Sequence, residues 1–182
     1  MSPPTEVQVM MKMPPWLVRE LRSDHAGETG AVAIYQGILA VSRDSAVVNF
    51  AKNHLATERD HLALMDQLLP NTERSRLLFL WRVAGFFTGC LPALFSSNSV
   101  FRTVEAVEIF VDVHYSAQIN RLRLENIHGE IRQKIETCRN DERHHRDDAR
   151  QRVSDAAGIA ISLWLGLVTL GSRIAVVIAR AL

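Results

Sequence analysis

The stretch Thr57-Glu58-Arg59-Asp60-His61-Leu62 carries the strongest structural signal in this sequence. Glu58 and His61 lie three positions apart, so on an α-helix both side chains leave the same face. The chain repeats this pair as Glu142 and His145, with the same spacing. A carboxylate and an imidazole on one helical face can bind the same transition-metal ion. The two pairs therefore predict a metal centre between two helices.

Two further acidic residues interrupt apolar stripes in the same way. Glu28 lies in register with Tyr35, two helical turns later, and Glu108 lies between Val104 and Val111. A solvated helix face would not be flanked by such residues. The sequence therefore predicts six inward side chains on four helices: Glu28, Glu58, His61, Glu108, Glu142 and His145.

These six side chains predict a pair of metal ions bridged by carboxylates. A buried carboxylate without a counter-charge is strongly destabilising, so four in one core need the positive charge that two divalent cations supply. Oxygen and imidazole donors without a thiolate favour iron or manganese over structural zinc. The repeated order, one Glu and then a Glu-x-x-His pair, indicates two helical hairpins related by a pseudo-twofold axis.

Alternatives remain open for individual residues. Any one of the four acids fits a surface position in a chain with 23% charged residues, and only their joint placement favours metal binding. Glu105, one turn before Glu108, is an alternative for its role. Cys138 fits a small core position better than a ligand position. The other histidines fit surface or ordinary core positions: His25, His54, His128 and His144.

Apolar periodicity predicts an all-α fold, a four-helix bundle in a single domain spanning residues 1–182. The predicted bundle helices cover residues 16–44, 45–69, 98–126 and 130–153. Two apolar segments, 77–95 and 156–182, are not needed for such a bundle. They predict helices that lie on or dip into a membrane, although the aromatic residues of the first segment are also compatible with an ordinary core.

Composition excludes some functional classes. A formal net charge of +1 argues against nucleic acid as a partner. The two cysteines lack disulfide or zinc-site spacing, which indicates a reducing compartment. Residues 1–13 have neither the apolar run of a secretory signal nor the composition of a mitochondrial presequence. No GxGxxG motif is present to mark a dinucleotide site.

Several elements resemble the demethoxyubiquinone hydroxylase family of ubiquinone biosynthesis, from about Val18 to Leu182. They are Asp24-His25-Ala26-Gly27-Glu28, Glu58-Arg59-Asp60-His61, Val107-Glu108 with His114-Tyr115, and Asp141-Glu142-Arg143-His144-His145-Arg146-Asp147. The sequence differs from the family at His144, where an acidic residue is common, and at Ile109, where a second Glu often follows the ligand.

The resemblance implies a ferritin-like bundle in which the six side chains named above hold two Fe ions, with Glu58 and Glu142 bridging them. It also implies His114 and Tyr115 as catalytic residues, next to the metal ligands or at the pocket for the substrate ring.

By this resemblance, the chain is expected to be a monooxygenase that uses dioxygen and electrons from NADH to hydroxylate the ring of a polyprenyl demethoxy-benzoquinone, 5-demethoxyubiquinone. The expected location is peripheral, on the cytoplasmic face of a bacterial cell membrane or the matrix face of the mitochondrial inner membrane. A lipid-binding partner protein and an oligomer are both compatible with the sequence.

Two other functions fit parts of the pattern. A ferritin-like or rubrerythrin-like iron- or peroxide-handling protein uses the same ligands but has no need of the apolar segments. A non-catalytic quinone or lipid carrier needs those segments but no metal.

Overall fold

The computed structural model describes residues 13–182, which form six α-helices and no strand. The prediction of an all-α bundle with two additional apolar helices is confirmed. Residues 1–12, which carry most of the segment expected to lack a targeting signal, lie outside the described residues. The helices are α1 (Pro15–Val41), α2 (Ser45–Leu68), α3 (Leu78–Phe95), α4 (Ser97–Glu125), α5 (Gly129–Gln151) and α6 (Ile159–Ala181), with a short 3-10 helix, Asn71–Glu73, before α3.

Local chemistry sets the helix ends. Pro15 occupies the first turn of α1, where its missing N–H costs nothing. Asp44 caps α2, because its Oδ1 accepts a hydrogen bond from the backbone N–H of Ala46 at 2.8 Å. Ser96 caps α4 in the same way, and Asn126 ends it in the left-handed conformation, with φ of 50°. The helix bounds therefore differ from the predicted ones by only a few residues.

The helices form three layers of two. α1 and α4 lie in the middle layer; α2 packs on α1 and α5 packs on α4, and α2 and α5 also contact each other. These four helices are the predicted bundle. α3 and α6 each pack on both α1 and α4, where they form the third layer.

Glycines allow α3 to approach α1 closely. A Cβ added to Gly89 would overlap the carbonyl oxygen of Ile34, and one added to Gly85 would overlap the backbone of Gly30. A Cβ on Gly37 of α1 would overlap the backbone of Phe86. The Gly-x-x-x-Gly spacing in α3 therefore serves contact between two helices of this chain. The helix also continues through Pro92, which lies in its last turn.

Two apolar clusters fill the bundle, one on each side of a polar centre. The first includes Leu17, Met65 and Ile135, and the second includes Ile38, Phe50 and Val104. The polar residues between them are consequently shielded from solvent at both ends of the bundle.

α3 and α6 expose most of their apolar side chains. Both are long and apolar enough to cross a membrane by length and composition, with mean hydropathy of 1.6 and 1.9. Only 17% and 6% of those segments is buried. Exposed apolar area on this scale is unusual for a monomeric soluble protein and marks an interaction surface.

Candidate metal centre

The structure brings all six predicted ligand side chains together at the centre of the bundle. α1 contributes Glu28, α2 Glu58 and His61, α4 Glu108, and α5 Glu142 and His145. Each of them is at most 4% exposed. Four acids in such an interior require compensating charge.

The donor atoms form two overlapping groups. Glu28, Glu58, His61 and Glu142 offer one group, and Glu58, Glu108, Glu142 and His145 the other. Within each group the donor atoms all lie within 4.8 Å of one another. Glu58 and Glu142 belong to both groups, as two carboxylates that bridge a pair of ions would.

The hydrogen bonding inside the cluster is incomplete. Glu142 bonds to both histidines: Oε1 lies 3.0 Å from Nδ1 of His61, and Oε2 lies 3.1 Å from Nδ1 of His145. Oε1 of Glu58 lies 3.1 Å from Nδ1 of His145, but Oε2 of Glu58 and Oε2 of Glu28 have no hydrogen-bond partner within residues 13–182. Orphaned carboxylate oxygens are costly in a protein interior, so this donor set fits divalent cations.

The pKa shifts of the acidic residues in the cluster also indicate a need for bound positive charge. Burial, and then the charges of Glu142 and Glu58, raise the pKa of Glu28 and of Glu108 well above the usual range. Burial and Glu142 also raise the pKa of Glu58. Burial and mutual repulsion therefore favour the neutral form of these three carboxyl groups unless a positive charge is bound beside them.

The two histidines have the opposite balance. Burial lowers the pKa of His61, but the hydrogen bond to Glu142 and the charges of Glu28, Glu142 and Glu58 outweigh it and raise the pKa to about 10. Burial also lowers the pKa of His145, but its contacts with Glu142 and Glu58 outweigh burial and raise the pKa to about 11. The pKa of Glu142, which burial alone would raise, falls to about 2 because of these hydrogen bonds.

Two buried tyrosines connect the hairpins, and sequence reasoning used only one of them as a site residue. Tyr115 of α4 donates its hydroxyl proton to Oε1 of Glu28 on α1. Tyr35 of α1 makes the reciprocal contact, 3.4 Å from Oε1 of Glu108 on α4. The signal was present in the sequence, since each tyrosine follows a predicted ligand by seven residues.

The two histidine ligand candidates have different surroundings. Nε2 of His61 lies 3.2 Å from the carboxylate of Asp141, an arrangement that orients a metal-binding imidazole. His145 instead packs against the ring of His54, with centroids 4.2 Å apart. His54 is bonded to Asp148 at 2.9 Å, so it is a satisfied core residue, as expected.

His114 lies in a second polar cluster, adjacent to the ligands. Its Nε2 is 2.9 Å from Asp24, 3.0 Å from Gln118 and 3.3 Å from Ser23. The Asp24 side chain is fully buried, with one oxygen lacking a hydrogen-bond partner in the described chain. Neither Asp24 nor Gln118 was predicted as a site residue, because single polar residues on a long helix are usually solvated.

The structure separates the predicted site residues from their alternatives. Glu105 lies outside the cluster and pairs with Arg150 at 2.7 Å. Cys138 is buried in the first apolar cluster, where burial raises the pKa of its thiol. His25 is buried and bonded to Asp66, while His144 is exposed.

An apolar cavity of about 360 Å³ leads to the carboxylates. α1, α3, α4 and α6 provide its walls, and Glu28, Glu58, Glu108 and Glu142 lie at its inner end. Tyr115 and the cluster of Asp24, Ser23 and His114 provide polar atoms there. The cavity lies between the middle layer and the layer of exposed apolar helices.

Comparison with known proteins identifies the family. The family described as ubiquinone biosynthesis protein COQ7 matches residues 15–179. This chain belongs to that family. Its resemblance to the demethoxyubiquinone hydroxylases is thereby confirmed.

Named members of the COQ7 family are similar over most of the chain. A 3-demethoxyubiquinol 3-hydroxylase of Rhodospirillum rubrum is 37% identical over 161 residues, covering 87% of this chain and 74% of the relative. The human NADPH-dependent 3-demethoxyubiquinone 3-hydroxylase, mitochondrial, is 32% identical over 169 residues, covering 90% and 77%. The Dictyostelium discoideum protein of the same name is 33% identical over 130 residues, covering 70% and 60%.

Proposed function

We propose that this chain is a di-iron monooxygenase that hydroxylates the ring of a polyprenyl demethoxy-benzoquinone in ubiquinone biosynthesis. The observation that carries the proposal is the pair of donor groups sharing Glu58 and Glu142 at the inner end of an apolar cavity. Membership of the COQ7 family supports the same activity. In this proposal the chain is one ferritin-like domain with two membrane-associating helices.

Each iron would bind one of the two donor groups. Glu28 and His61 would hold one ion, Glu108 and His145 the other, and the two shared carboxylates would bridge them. Bound iron supplies the activation of dioxygen. The chain keeps the ligands in place, because Tyr115 fixes Glu28 and Asp141 fixes His61.

The cavity suits a quinone with a long tail. Its volume of about 360 Å³ is within the usual range for small-ligand sites. The ring would lie at the polar inner end and the polyprenyl chain along the apolar walls of α3 and α6. Apolar walls also exclude water from the reacting ring.

His114 and Tyr115 are assigned to the ring pocket. Asp24 and Gln118 contact Nε2 of His114, which lines the cavity, and these contacts would orient its ring. Because these contacts engage Nε2, the other ring nitrogen, Nδ1, would be the one to exchange a proton with an oxygen of the quinone ring. Tyr115 orients the carboxylate of Glu28 at the boundary between the metal site and the cavity.

Electrons would come from a reduced nicotinamide. The sequence resemblance favours NADH, whereas the human and Dictyostelium relatives are named NADPH-dependent. The enzyme would work at a membrane surface, with α3 and α6 in contact with lipid, because its substrate is confined to the bilayer.

The direct test is turnover with labelled oxygen. Purified protein is incubated with a demethoxyquinone, ¹⁸O₂ and NADH or NADPH, and the product is analysed by mass spectrometry. We expect one labelled oxygen atom on the ring with wild-type protein and none with Glu58→Gln. Peroxide turnover without ring hydroxylation would favour an iron- or peroxide-handling protein, and purification without iron would favour a carrier.

A further inference from the structure

The charged residues of α3 and α6 are all arginines. α3 carries Arg82 as its one charged residue, α6 carries Arg173 and Arg180, and neither helix contains an acidic residue. Two helices that only packed their apolar side chains against other apolar groups would need no charged residue. A surface with positive charge alone indicates an anionic partner.

Two of these arginines have no charge partner among the residues that the structure describes. Arg180 pairs with Glu20 at 2.7 Å, which ties the end of α6 to α1. Arg82 and Arg173 are exposed and form no ion pair within residues 13–182. Their guanidinium groups are consequently available to an external anion.

The two free arginines occupy the same half of the apolar surface. The backbone N–H of Arg76 donates to the carbonyl of Leu182 at 3.1 Å, which joins the start of α3 to the end of α6. Arg82 lies six residues from Arg76 and Arg173 nine residues from Leu182, which is roughly two turns and roughly two and a half turns from that junction. The opposite half, residues 83–95 of α3 and 159–172 of α6, contains no charged residue.

We propose that Arg82 and Arg173 bind the phosphate groups of anionic phospholipids, while the uncharged half of α3 and α6 enters the acyl region. This inference rests on the proposed membrane-surface placement and adds the orientation and the lipid charge. The protein then lies obliquely, with the α3–α6 junction at headgroup level and Phe95 and Ile159 deepest.

The surroundings of the arginines favour lipid over a soluble anion. Phe79 and Phe87 beside Arg82, and Ile174 and Val177 beside Arg173, are each at least 50% exposed. Such side chains pack against acyl chains, and an arginine among them reaches outward to the phosphate layer. A soluble phosphate ligand would leave this apolar area in water.

Vesicle binding of the full chain tests the inference. Phosphatidylcholine vesicles and vesicles of phosphatidylcholine mixed with phosphatidylglycerol are sedimented with wild-type protein and with Arg82→Gln/Arg173→Gln. At roughly 1 kcal/mol per arginine near an anionic surface, the double variant should lose roughly 30-fold in partition to the anionic vesicles. Its binding to neutral vesicles should be unchanged, because the apolar contacts remain.

A matched control is available on the other side of the bundle. Arg59 of α2 and Arg143 of α5 are also exposed and without an ion pair in the described chain, but they lie in the layer away from α3 and α6. Arg59→Gln/Arg143→Gln removes the same charge and should keep the preference for anionic vesicles. Unchanged iron content and thermal midpoint in all variants exclude misfolding.

The outcomes separate this inference from the proposed function. The inference is wrong if the double variant keeps the preference for anionic vesicles. It is also wrong if the double variant keeps vesicle binding but has a higher KM for NADPH, because the arginines would then bind the dinucleotide. Equal binding of wild-type protein to both vesicle types also overturns it and leaves the membrane placement intact. If wild-type protein binds to neither vesicle type, the membrane placement is wrong as well.

Discussion

Replacing Glu58 by glutamine should remove both metal ions and yet stabilise the metal-free protein. Glu58 belongs to both donor groups, so its loss affects both ions. Glu28 belongs to one group only, so Glu28→Gln should keep the ion held by Glu58, Glu108, Glu142 and His145. Iron or manganese stoichiometry should therefore be two per chain in wild-type protein, near none in Glu58→Gln and near one in Glu28→Gln.

The stability effect follows from the surroundings of Glu58. Its side chain is buried; Oε1 lies 3.1 Å from Nδ1 of His145, whereas Oε2 has no hydrogen-bond partner in the described chain. A buried unsatisfied acceptor costs about 1–3 kcal/mol, and an amide can donate to the neighbouring carboxylates. Metal-free Glu58→Gln should gain about that amount in the free energy of unfolding, and at about 2–4 °C per kcal/mol its thermal midpoint should rise.

The pH dependence of the stability difference between Glu58→Gln and wild type provides a second test. Burial and Glu142 raise the pKa of Glu58 above its ordinary 4.5. A carboxyl group whose pKa is higher in the folded state loses stability as pH rises above the unfolded value. The advantage of the glutamine variant should therefore grow with pH above about 4.5.

Calorimetry of metal-free protein and metal analysis of the loaded protein test both parts. Glu105→Gln is the control, because Glu105 lies one turn from Glu108 but forms a surface pair with Arg150. It should keep two ions and change stability by less than about 1 kcal/mol. A Glu58→Gln protein that retains two ions, or that is less stable than wild type without metal, would refute the reasoning.

Three further changes have defined outcomes. Asp141→Asn should weaken metal binding by about 10–100-fold, because the carboxylate orients His61; unchanged affinity in a manganese titration would contradict this role. Manganese binding should release protons and strengthen from about pH 6 to 8, since His61 and His145, with pKa values of about 10 and 11, must deprotonate to bind; potentiometry that detects no released proton would oppose this. Gly89→Ala should lower the free energy of unfolding by about 1–3 kcal/mol, because the new methyl overlaps the backbone of Ile34. Gly166→Ala in open space is its control, and an equal thermal midpoint in both would argue against the close α1–α3 contact.

Much of this fold could be predicted from periodicity alone. The carboxylates that interrupt the apolar stripes on four helices were recognisable because a buried acid is rare without compensation. The pattern left Glu105 open as an alternative to Glu108, and the structure places Glu105 outside the cluster, paired with Arg150. Sequence spacing could not show that α3 packs tightly on α1, because the Gly-x-x-x-Gly pattern does not name its partner helix.

Contacts between helices account for what the sequence left out. Asp141 backs His61 across the α2–α5 interface, and Tyr35 reaches Glu108 across the α1–α4 interface. Each depends on the relative rotation of two helices, which local pattern does not fix. The cavity likewise exists only because α3 and α6 pack on the same side of α1 and α4.

The pseudo-twofold relation between the hairpins is broken where the substrate would lie. It relates Glu28 to Glu108 and Tyr35 to Tyr115, so both ends of the candidate metal centre receive a carboxylate and a tyrosine.

One turn before its carboxylate, α1 has Asp24, where α4 has the apolar Val104. Just before its tyrosine, α4 has His114, where α1 has Ile34. Asp24 and His114 bond to each other at the cavity wall. Asp24 and His114 therefore add polar atoms to the cavity wall at the Glu28 end, and we expect the ring oxygens to bind at this end of the nearly symmetric candidate metal centre.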